Sequence, residues 1–534
     1  RVILVSENRP EWLIADLAII AAGAITVPAY VTNTTGDHRH IVRDSGASAA
    51  IVSTKALAAR LLPAAHEADA LKSVIAMEMP EISQGLNVNV ISWDQVIERG
   101  GETSENIITT AAADIRPGDV ACIIYTSGTG GAPKGVMLSH RALLHNCYGA
   151  RAALMELGLG SEVFLSFLPI SHSYEHSAGQ FFPLSIGAQI YYAEGIDSLG
   201  ANMIEARPTI MTAVPRLYET LHQRITLGVK KAGGMKEKMF LAALELGRER
   251  YLRGGKLSLA QNLKDRLLDR LVRDKVRARF GGRLKALVSG GAPLNPDIGL
   301  FFTALGLRIL QGYGQTEAAP VISVNRPGLI KINTVGPALK DTEIKIADDG
   351  EILVRGDLVM EGYWRNEAAT AKAIIDGWLH TGDIGELDQD GYLTITDRKK
   401  DIIVNSGGDN LSPQRVEGFL TLEPEIAQAM VFGDKRPHLV GLLVPDPEWL
   451  EDWAAAAGKA PYIQALADDP DFRKAVNAAL ERVNEKMSLI EKVRRVAFAD
   501  GPFTIDNGML TPTMKIRRHK IHEVYGQRLK ELYG

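Results

Sequence analysis

The sequence predicts an α/β protein in which parallel-rich sheets are covered by helices. Short apolar runs typical of buried strands alternate with helical patterns along the N-terminal part of the chain, and such alternation favours this architecture. The chain has 534 residues, of which 46% are hydrophobic and 23% are charged. This length and composition indicate an ordinary globular protein with several domain-sized units and a large core.

The first predicted element is a strand over Arg1–Val5. Because the chain starts inside this strand and with arginine, we expect the natural N-terminus and any targeting peptide to be missing. Asn8 is expected to cap a helix that starts near Pro10 and runs through Trp12–Ala22. Its charge and early stop favour a buried crossover helix over a membrane span. Further strands are predicted at Ala49–Val52, Ser73–Met77, Val88–Ile91 and Val120–Ile124.

The last of these strands leads into Tyr125–Gly135, which has the sequence Tyr-Thr-Ser-Gly-Thr-Gly-Gly-Ala-Pro-Lys-Gly. Glycines let backbone N–H groups approach phosphate oxygens, hydroxyls donate hydrogen bonds, and the lysine adds charge, so the segment predicts a nucleotide-phosphate loop. A surface linker is the weaker alternative. The candidate ligands are Thr126, Ser127, Gly128, Thr129 and Lys134.

Two familiar phosphate loops are excluded by the residues around the lysine. A Walker A loop needs Gly-Lys followed by Ser or Thr, whereas Lys134 lies between Pro133 and Gly135. A dinucleotide fingerprint starting at Gly128 would place its last glycine at Pro133, which has no N–H to donate. The loop is therefore of another class.

The pattern resembles the phosphate loop of the adenylate-forming (AMP-binding) superfamily, which includes acyl-CoA synthetases, luciferases and peptide-synthetase adenylation domains. One position departs from the family pattern, because Gly130 replaces the second threonine of Thr-Ser-Gly-Thr-Thr-Gly and removes a possible hydroxyl contact. The resemblance implies a large α/β AMP-binding domain, expected at residues 1–397, and a small α+β C-terminal lid domain, expected at residues 398–534.

Two glycine-rich loops, Ser289–Leu294 and Gln311–Glu317, follow predicted strands at Arg283–Val288 and Arg308–Leu310. Either loop alone would be an unremarkable turn, but together, and in family order, they indicate a nucleotide site. By resemblance, the first loop packs on adenine, and the second supplies a stacking Tyr313, a Thr316 hydroxyl for the α-phosphate and a Glu317 ligand for Mg²⁺. Thr126 is a second candidate metal ligand. The other candidate ATP contacts are Gly291, Ala292, Pro293, Gln311 and Gly312.

Two further motifs resemble the part of the family that joins the body to the lid. Asp383, in Gly377–Asp383, would accept hydrogen bonds from the ribose hydroxyls, although it could equally be an Asx-turn residue. Arg398 would bridge ribose and phosphate, and Lys400 would be the hinge about which the lid turns. A charged strand end is the alternative for both.

A C-terminal lysine completes the implied reaction. Lys515 lies in Thr-Pro-Thr-Met-Lys-Ile-Arg, the context of the family's catalytic lysine, although a single lysine would otherwise be taken as a solvated charge. There it would stabilise the transition state between the attacking carboxylate and the α-phosphate, so Lys515, Thr316 and Glu317 are the expected catalytic residues. The resemblance also implies that Gly407 and Gly408 line a channel for CoA.

The segment Leu168–His176 matches the family's acyl pocket, with His172 and Tyr174 as candidate lining residues, although His172 could instead be a packed or capping side chain. The segment and the helical insert that follows resemble the long-chain acyl-CoA synthetase branch. The expected reaction converts a fatty acid, ATP and CoA into acyl-CoA, AMP and pyrophosphate with Mg²⁺. Two alternatives stay open: adenylation of an aryl or amino acid for a carrier protein, and a degenerate lipid-binding relative.

The insert, residues 224–285, is strongly basic. It holds 18 Lys and Arg against 6 Asp and Glu, a net charge of +12, which leaves −16 on the rest of the chain. Apolar residues recur in the insert at near-helical spacing, which predicts amphipathic helices with a basic outer face. That face is either a solvated surface or a patch for anionic lipid. The apolar residues with this spacing are Ala260, Leu263, Leu267, Leu271 and Val276.

The expected location is the cytoplasm, with peripheral contact at the inner face of a membrane. Two cysteines, Cys122 and Cys147, cannot make a disulfide framework and suggest a reducing compartment. Nucleic acid is not an expected partner, because the net charge of the chain is −4 and the aromatic residues of the insert match no recognition motif.

Overall fold

The computed structural model describes residues 1–81, 85–126, 133–511 and 515–534. The chain forms a large and a small compact unit. The first unit consists of Arg1–Leu217, Gly228–Thr381 and Glu386–Thr394, and the second of Tyr218–Leu227, Gly382–Gly385 and Ile395–Gly534.

The first sheet of the large unit is mostly parallel. Val2–Val5 pairs in parallel with Thr26–Ala29 and with Ala49–Val52, and apolar side chains from these strands form a buried core with the helices that cover them. The order of its strands in space is Gly362–Tyr363, Lys134–Ser139, Val120–Thr126, Thr26–Ala29, Val2–Val5, Ala49–Val52, Ser73–Ala76 and Asn89–Ser92.

The helix Pro10–Ala21 lies where it was expected, but its predicted cap was wrong. The N-cap is Arg9, whose backbone is extended and whose side chain makes no capping hydrogen bond. The Asn8 side chain instead donates to the carbonyl of Leu168 at 2.7 Å and accepts from the N–H of Ile170 at 3.2 Å. Asn8 therefore holds the start of the predicted acyl-pocket segment.

The second sheet is parallel except at one edge and contains a topological switch point. After Val163–Ser166 the chain passes to Gln189–Tyr192 on one side, and Ile210–Ala213 lies on the other. Ligands of open α/β sheets bind beyond the carboxyl ends of strands at such a point. The order of its strands in space is Val321–Val324, Ile309–Gly314, Ala286–Ser289, Ile210–Ala213, Val163–Ser166 and Gln189–Tyr192.

A third sheet follows along the chain. It contains Glu343–Ile346, Glu351–Arg355, Trp378–Leu387 and Ile374–Ile375, with Leu393–Arg398 paired to Trp378–Leu387. The second unit contains a small hairpin and a sheet packed with helices, which makes it α+β. Its strands are Ile403–Val404, Asn410–Leu411, Ile426–Phe432, Leu439–Pro445 and Val493–Phe498. The predicted fold class is thus confirmed.

Helices cover these sheets and fill the basic insert. The α-helices are Pro10–Ala21, Thr35–Ser45, Lys55–His66, Trp93–Gly101, Glu105–Ala113, His140–Leu154, Phe182–Ser185, Leu199–Ala206, Pro215–Ala232, Gly234–Leu252, Leu259–Leu268, Asp274–Arg279, Pro296–Ala304, Glu367–Ala373, Pro413–Leu420, Pro447–Ala457, Ile463–Leu466, Pro470–Glu485 and Arg518–Glu531. Wider π-helical turns occur at Glu175–Phe181 and Asp269–Arg273.

The insert is helical as predicted, but the assignment of its inner face was wrong. Leu263 and Leu267 are 73% and 58% exposed, whereas Asp265 and Leu268 of the same helix are buried. The physical reason is an ion pair between Asp265 and the completely buried Arg273, which fixes the polar side of the helix inward.

Candidate functional site

Three predicted motifs lie at one edge of the second sheet. Leu168–His176 follows the strand Val163–Ser166, and Ser289–Leu294 begins at the last residue of Ala286–Ser289. Gln311–Glu317 starts within Ile309–Gly314. Because these strands are parallel, their carboxyl ends meet at the same edge, beside the switch point. The structure therefore brings together segments that are about 140 residues apart in the chain.

The predicted adenine loop packs on Tyr174. The Tyr174 hydroxyl donates to the carbonyl of Val288 at 2.8 Å, and a Cβ atom on Gly290 would lie 2.9 Å from Cζ of the ring. Gly291 has a φ of +83°, a conformation that favours glycine, and Ala292 and Pro293 are exposed. The Tyr174 ring therefore packs against the predicted adenine loop, while the role of Tyr174 in the acyl pocket stays a prediction.

The predicted α-phosphate ligand contacts the acyl-pocket segment directly. The hydroxyl oxygens of Thr316 and Ser173 are 2.9 Å apart, and both side chains are buried. In the strand Ile309–Gly314, the carbonyl of Gln311 accepts from the N–H of Asn325 at 2.9 Å. Gly312 and Tyr313 of the same strand pair with Val321–Val324. Ser173 lies inside the predicted acyl-pocket segment Leu168–His176, but the sequence pattern did not predict this contact.

His172 acts as a local cap. Its ring nitrogen Nδ1 accepts a hydrogen bond from the N–H of Tyr174 at 3.2 Å. The next residue, Glu175, is completely buried and accepts from the Thr212 hydroxyl at 2.6 Å. Burial raises the pKa of Glu175 from 4.5 to about 7. The acyl-pocket role of His172 stays a prediction, and the buried acid beside it was not foreseen.

Tyr363 joins two predicted ligands of the triphosphate. Its hydroxyl donates to Oε1 of Glu317 at 2.8 Å, and Nζ of Lys134 lies 4.6 Å from the centroid of its ring. Burial, together with the nearby Glu317 carboxylate, raises the pKa of Tyr363, so the hydroxyl stays protonated as a donor. Sequence reasoning missed this residue, because a lone Gly-Tyr-Trp triplet resembles any short strand.

The helix Thr35–Ser45 supports both stems of the predicted phosphate loop. His40 Nε2 lies 2.9 Å from the carbonyl oxygen of Pro133, and the Tyr125 hydroxyl donates to Asp44 at 2.5 Å. Thr126 and Lys134 pair with each other on the antiparallel strands Val120–Thr126 and Lys134–Ser139. Outside the described residues lie the predicted loop ligands Ser127, Gly128 and Thr129, and also Gly130, the position that differs from the family pattern.

The predicted Mg²⁺ site would be shared between the protein and the phosphates of a bound nucleotide. Among the described residues, no group of three or more His, Cys, Asp or Glu side chains could hold a metal ion. Glu317 offers one carboxylate, of which one oxygen already accepts from Tyr363. Mg²⁺ that arrives with a nucleotide needs only one or two carboxylates beside phosphate oxygens, so these residues fit Mg·ATP and do not fit an all-protein cage.

Asp383 and Arg398, the two predicted ribose ligands, lie close together. Asp383 is buried, and its Oδ1 is 3.4 Å from Nε of Arg398. The N–H of Lys399 donates to the carbonyl of Gly382 at 2.9 Å. Lys400 lies in the turn that directly follows the strand Leu393–Arg398. This arrangement places the predicted hinge next to the predicted ribose ligands.

The remaining predicted residues of the second unit lie in two exposed segments. Lys515 is exposed, and its N–H donates to the Thr511 hydroxyl at 3.0 Å, while residues 512–514 lie outside the described part of the chain. Gly407 donates its N–H to the Asn405 side chain at 2.9 Å, and Gly408 has a φ of +88°.

A membrane-spanning helix is not found within residues 1–81, 85–126, 133–511 and 515–534, because none of the helices there has both the length and the apolar character to cross a bilayer.

Comparison with known families finds two matching regions. Residues 1–364 match the model described as AMP-binding enzyme, and residues 400–534 match the model described as AMP-binding enzyme C-terminal domain. Together these two models cover almost the whole chain.

Curated relatives are similar over the full chain. The long-chain-fatty-acid–CoA ligase FadD15 of Mycobacterium bovis is 37% identical over 100% of this chain and 88% of its own length. The peroxisomal long chain acyl-CoA synthetase 6 of Arabidopsis thaliana is 32% identical over 98% of this chain and 76% of its own.

Solved structures share the fold at lower identity. The adenylation domain of a carboxylate reductase from Mycobacterium chelonae superposes with a TM-score of 0.76 at 21% identity, over 100% of this chain and 80% of its own. ATP-bound MatB from Rhodopseudomonas palustris gives 0.64 at 21% identity, over 98% and 88%. At such identity the likeness concerns the fold alone.

Proposed function

This chain belongs to the AMP-binding enzyme family, and we propose that it is an AMP-forming long-chain fatty acid–CoA ligase. Full-length similarity to relatives named as such ligases supports the activity. The observation that carries the proposal is a group in which Tyr363 contacts both Glu317 and Lys134. The neighbouring Thr316 contacts Ser173 of the predicted acyl-pocket segment. A donor hydroxyl, a carboxylate and a lysine there suit a nucleoside triphosphate.

In the first half-reaction, a carboxylate oxygen of the fatty acid attacks the α-phosphorus of ATP. The bond to the β-phosphate breaks, pyrophosphate leaves, and acyl-AMP forms. Thr316 donates to the α-phosphate, Lys134 and the phosphate loop hold the departing phosphates, and Lys515 stabilises the charge that develops between the reactants. The adenine lies against Gly291–Pro293 and Tyr313.

Mg²⁺ would be held by Glu317, with Thr126 as a second candidate, together with phosphate oxygens. When bound, it neutralises charge on the phosphates and favours the departure of pyrophosphate. The protein contribution is the orientation of the Glu317 carboxylate, which the Tyr363 hydroxyl restrains.

In the second half-reaction, the CoA thiolate attacks the acyl carbonyl of acyl-AMP, and AMP leaves with its phosphate oxygen. We propose that the lid domain, residues 398–534, turns about Lys400 between the two steps. This motion withdraws Lys515 and brings Gly407 and Gly408 to the CoA channel. Asp383 holds the ribose and Arg398 the ribose and phosphate of the nucleotide that stays.

The net charge of +12 on residues 224–285 supports a further part of the proposal, a peripheral contact with anionic membrane at its cytoplasmic face. Such a contact would place the enzyme where its water-insoluble substrate is dissolved.

The proposal is tested by pyrophosphate exchange into ATP across a panel of acids, followed by CoA-dependent release of acyl-CoA. Exchange stimulated by palmitate, with thioester formed on addition of CoA, is the expected result. Stimulation by an aryl or amino acid and not by palmitate would identify the enzyme as an adenylating enzyme for another acid. Absence of exchange with every acid would identify a non-catalytic relative.

A further inference from the structure

Four leucines of the basic insert form an exposed row, which we call the leucine stripe. Leu259, Leu263 and Leu267 follow each other every fourth residue on the helix Leu259–Leu268 and are 91%, 73% and 58% exposed. Leu271, four residues further in the π-helical turn Asp269–Arg273, is 39% exposed. Residues four apart lie on one helical face, so the stripe is a continuous apolar surface facing solvent.

The opposite side of this helix is held inward by a buried charge network. The guanidinium of Arg273 is completely buried and donates to Asp265 Oδ1 at 2.7 Å and to the carbonyls of Ala243 and Ala304, each at 2.8 Å. Arg250 also donates to Asp265, at 2.9 Å. Turning the leucines inward would break these bonds and leave a buried charge without its partner, so the outward orientation of the stripe is structurally enforced.

Basic side chains flank the stripe. Lys264, Arg266 and Arg270 are exposed, and within the described part of the chain none of them forms an ion pair. Lys256 is exposed in the turn that precedes the helix, and Leu252, at the end of the preceding helix, is 73% exposed. The surface thus combines protruding leucines with a border of positive charge.

We propose that the leucine stripe inserts into an anionic lipid bilayer, with the helix lying in the plane of the interface and Lys264, Arg266 and Arg270 on the headgroups. A basic helix with an apolar face of this kind is the pattern of interfacial helices. Lipid is favoured over a second copy of the chain as the occupant, because two inserts that each carry a net charge of +12 would repel each other.

Insertion of the stripe rests on the membrane contact in the proposed function and adds a hydrophobic component to it. Contact through charge alone is screened at high salt, whereas buried leucine side chains are not. Binding should therefore have a salt-sensitive part from the basic border and a salt-resistant part from the stripe.

The test is co-sedimentation of the full chain with vesicles of phosphatidylcholine and phosphatidylglycerol at low and high salt. Leu263→Gln/Leu267→Gln should lower the partition coefficient about tenfold or more at both salt concentrations. Lys264→Gln/Arg266→Gln/Arg270→Gln should lower it mainly at low salt. The matched control is Ile196→Gln/Leu489→Gln, which replaces two side chains that are each 73% exposed and lie outside the insert, and it should bind as the parent chain does.

The variant Leu263→Trp gives a second readout of insertion. Lipids brominated in the acyl chain should quench its tryptophan fluorescence more than they quench that of the parent chain. Equal binding by the parent chain and the leucine variant, or an unquenched tryptophan, would overturn insertion. Dissociation of a dimer by the leucine variant, seen in sedimentation velocity without loss of vesicle binding, would assign the stripe to self-association instead. Pyrophosphate exchange with soluble octanoate, measured without vesicles, reports the proposed activity separately, and we expect it to be unchanged in every variant.

Discussion

The hydroxyl of Tyr363 donates a hydrogen bond to Oε1 of Glu317 at 2.8 Å, while Lys134 lies over the face of the same ring. Three residues from separate parts of the chain are thereby held in one group. If Glu317 and Lys134 act on the phosphates of Mg·ATP, Tyr363 is the side chain that fixes the distance between them. It is a positioning residue, and its removal should affect nucleotide binding more than acid binding.

Tyr363→Phe keeps the ring under Lys134 and removes only the hydrogen bond to Glu317. A hydrogen bond to a charged group contributes about 1.5–3 kcal/mol, so we expect the KM for Mg·ATP in pyrophosphate exchange to rise about tenfold or more. The KM for palmitate should change little. Tyr191→Phe, at a tyrosine that is 47% exposed, is the matched control. An effect on the KM for palmitate alone would assign Tyr363 to the acid site.

Lys515→Ala should separate the two half-reactions. The ammonium group is proposed to act only on the charge that develops during adenylation, so exchange should fall about 100-fold or more, while thioester formation from supplied acyl-AMP should be largely kept. Lys520→Ala is the control, because Lys520 is an exposed lysine of the same unit that pairs with Glu523. An equal loss in both half-reactions would mean that Lys515 acts in both or in folding.

The parts of the site that the sequence predicted are contiguous motifs. Gln311–Glu317 and Ser289–Leu294 carry their chemistry within a few residues, so their pattern is visible without a structure. Strands such as Val2–Val5 and Ala49–Val52 were predictable for a similar reason, because buried parallel strands are continuous apolar runs.

The contacts that sequence reasoning missed join residues far apart in the chain. Tyr363 meets Glu317 across 46 residues, and Ser173 meets Thr316 across 143. The inward face of the insert helix was assigned wrongly because periodicity identifies an apolar face but does not say that it is buried. There the buried pair of Asp265 and Arg273 decides the orientation against the hydrophobic pattern.

Arg273→Met should destabilise the insert, since it leaves the buried Asp265 carboxylate with a single ion-pair partner among the described residues, Arg250. Breaking a buried pair by removing one member costs about 3–5 kcal/mol. Hydrogen exchange should become faster in Gly234–Leu252 and Leu259–Leu268. Arg266→Met removes an exposed arginine of the same helix and should leave exchange unchanged. Unaltered protection in Arg273→Met would show that packing, and not the ion pair, orients the helix.

Glu175 should make stability depend on pH in a direction unusual for a carboxyl group. Its pKa rises on folding from 4.5 to about 7, because the side chain is completely buried, and the hydrogen bond from the Thr212 hydroxyl offsets this rise only in part. Between these two values the folded state binds more protons than the unfolded state, so the free energy of unfolding falls as pH increases.

The expected loss between pH 4.5 and about 7 is about 3 kcal/mol from this group, since each pKa unit corresponds to about 1.4 kcal/mol. Glu175→Gln keeps the shape of the side chain and cannot ionise, so its stability should fall less over this range than that of the parent chain. Glu205→Gln, at an exposed glutamate, should follow the parent profile. Urea unfolding at several pH values measures all three chains. Parallel profiles for the parent and Glu175→Gln would mean that Glu175 stays ionised in the folded protein, with a compensating donor to its second oxygen.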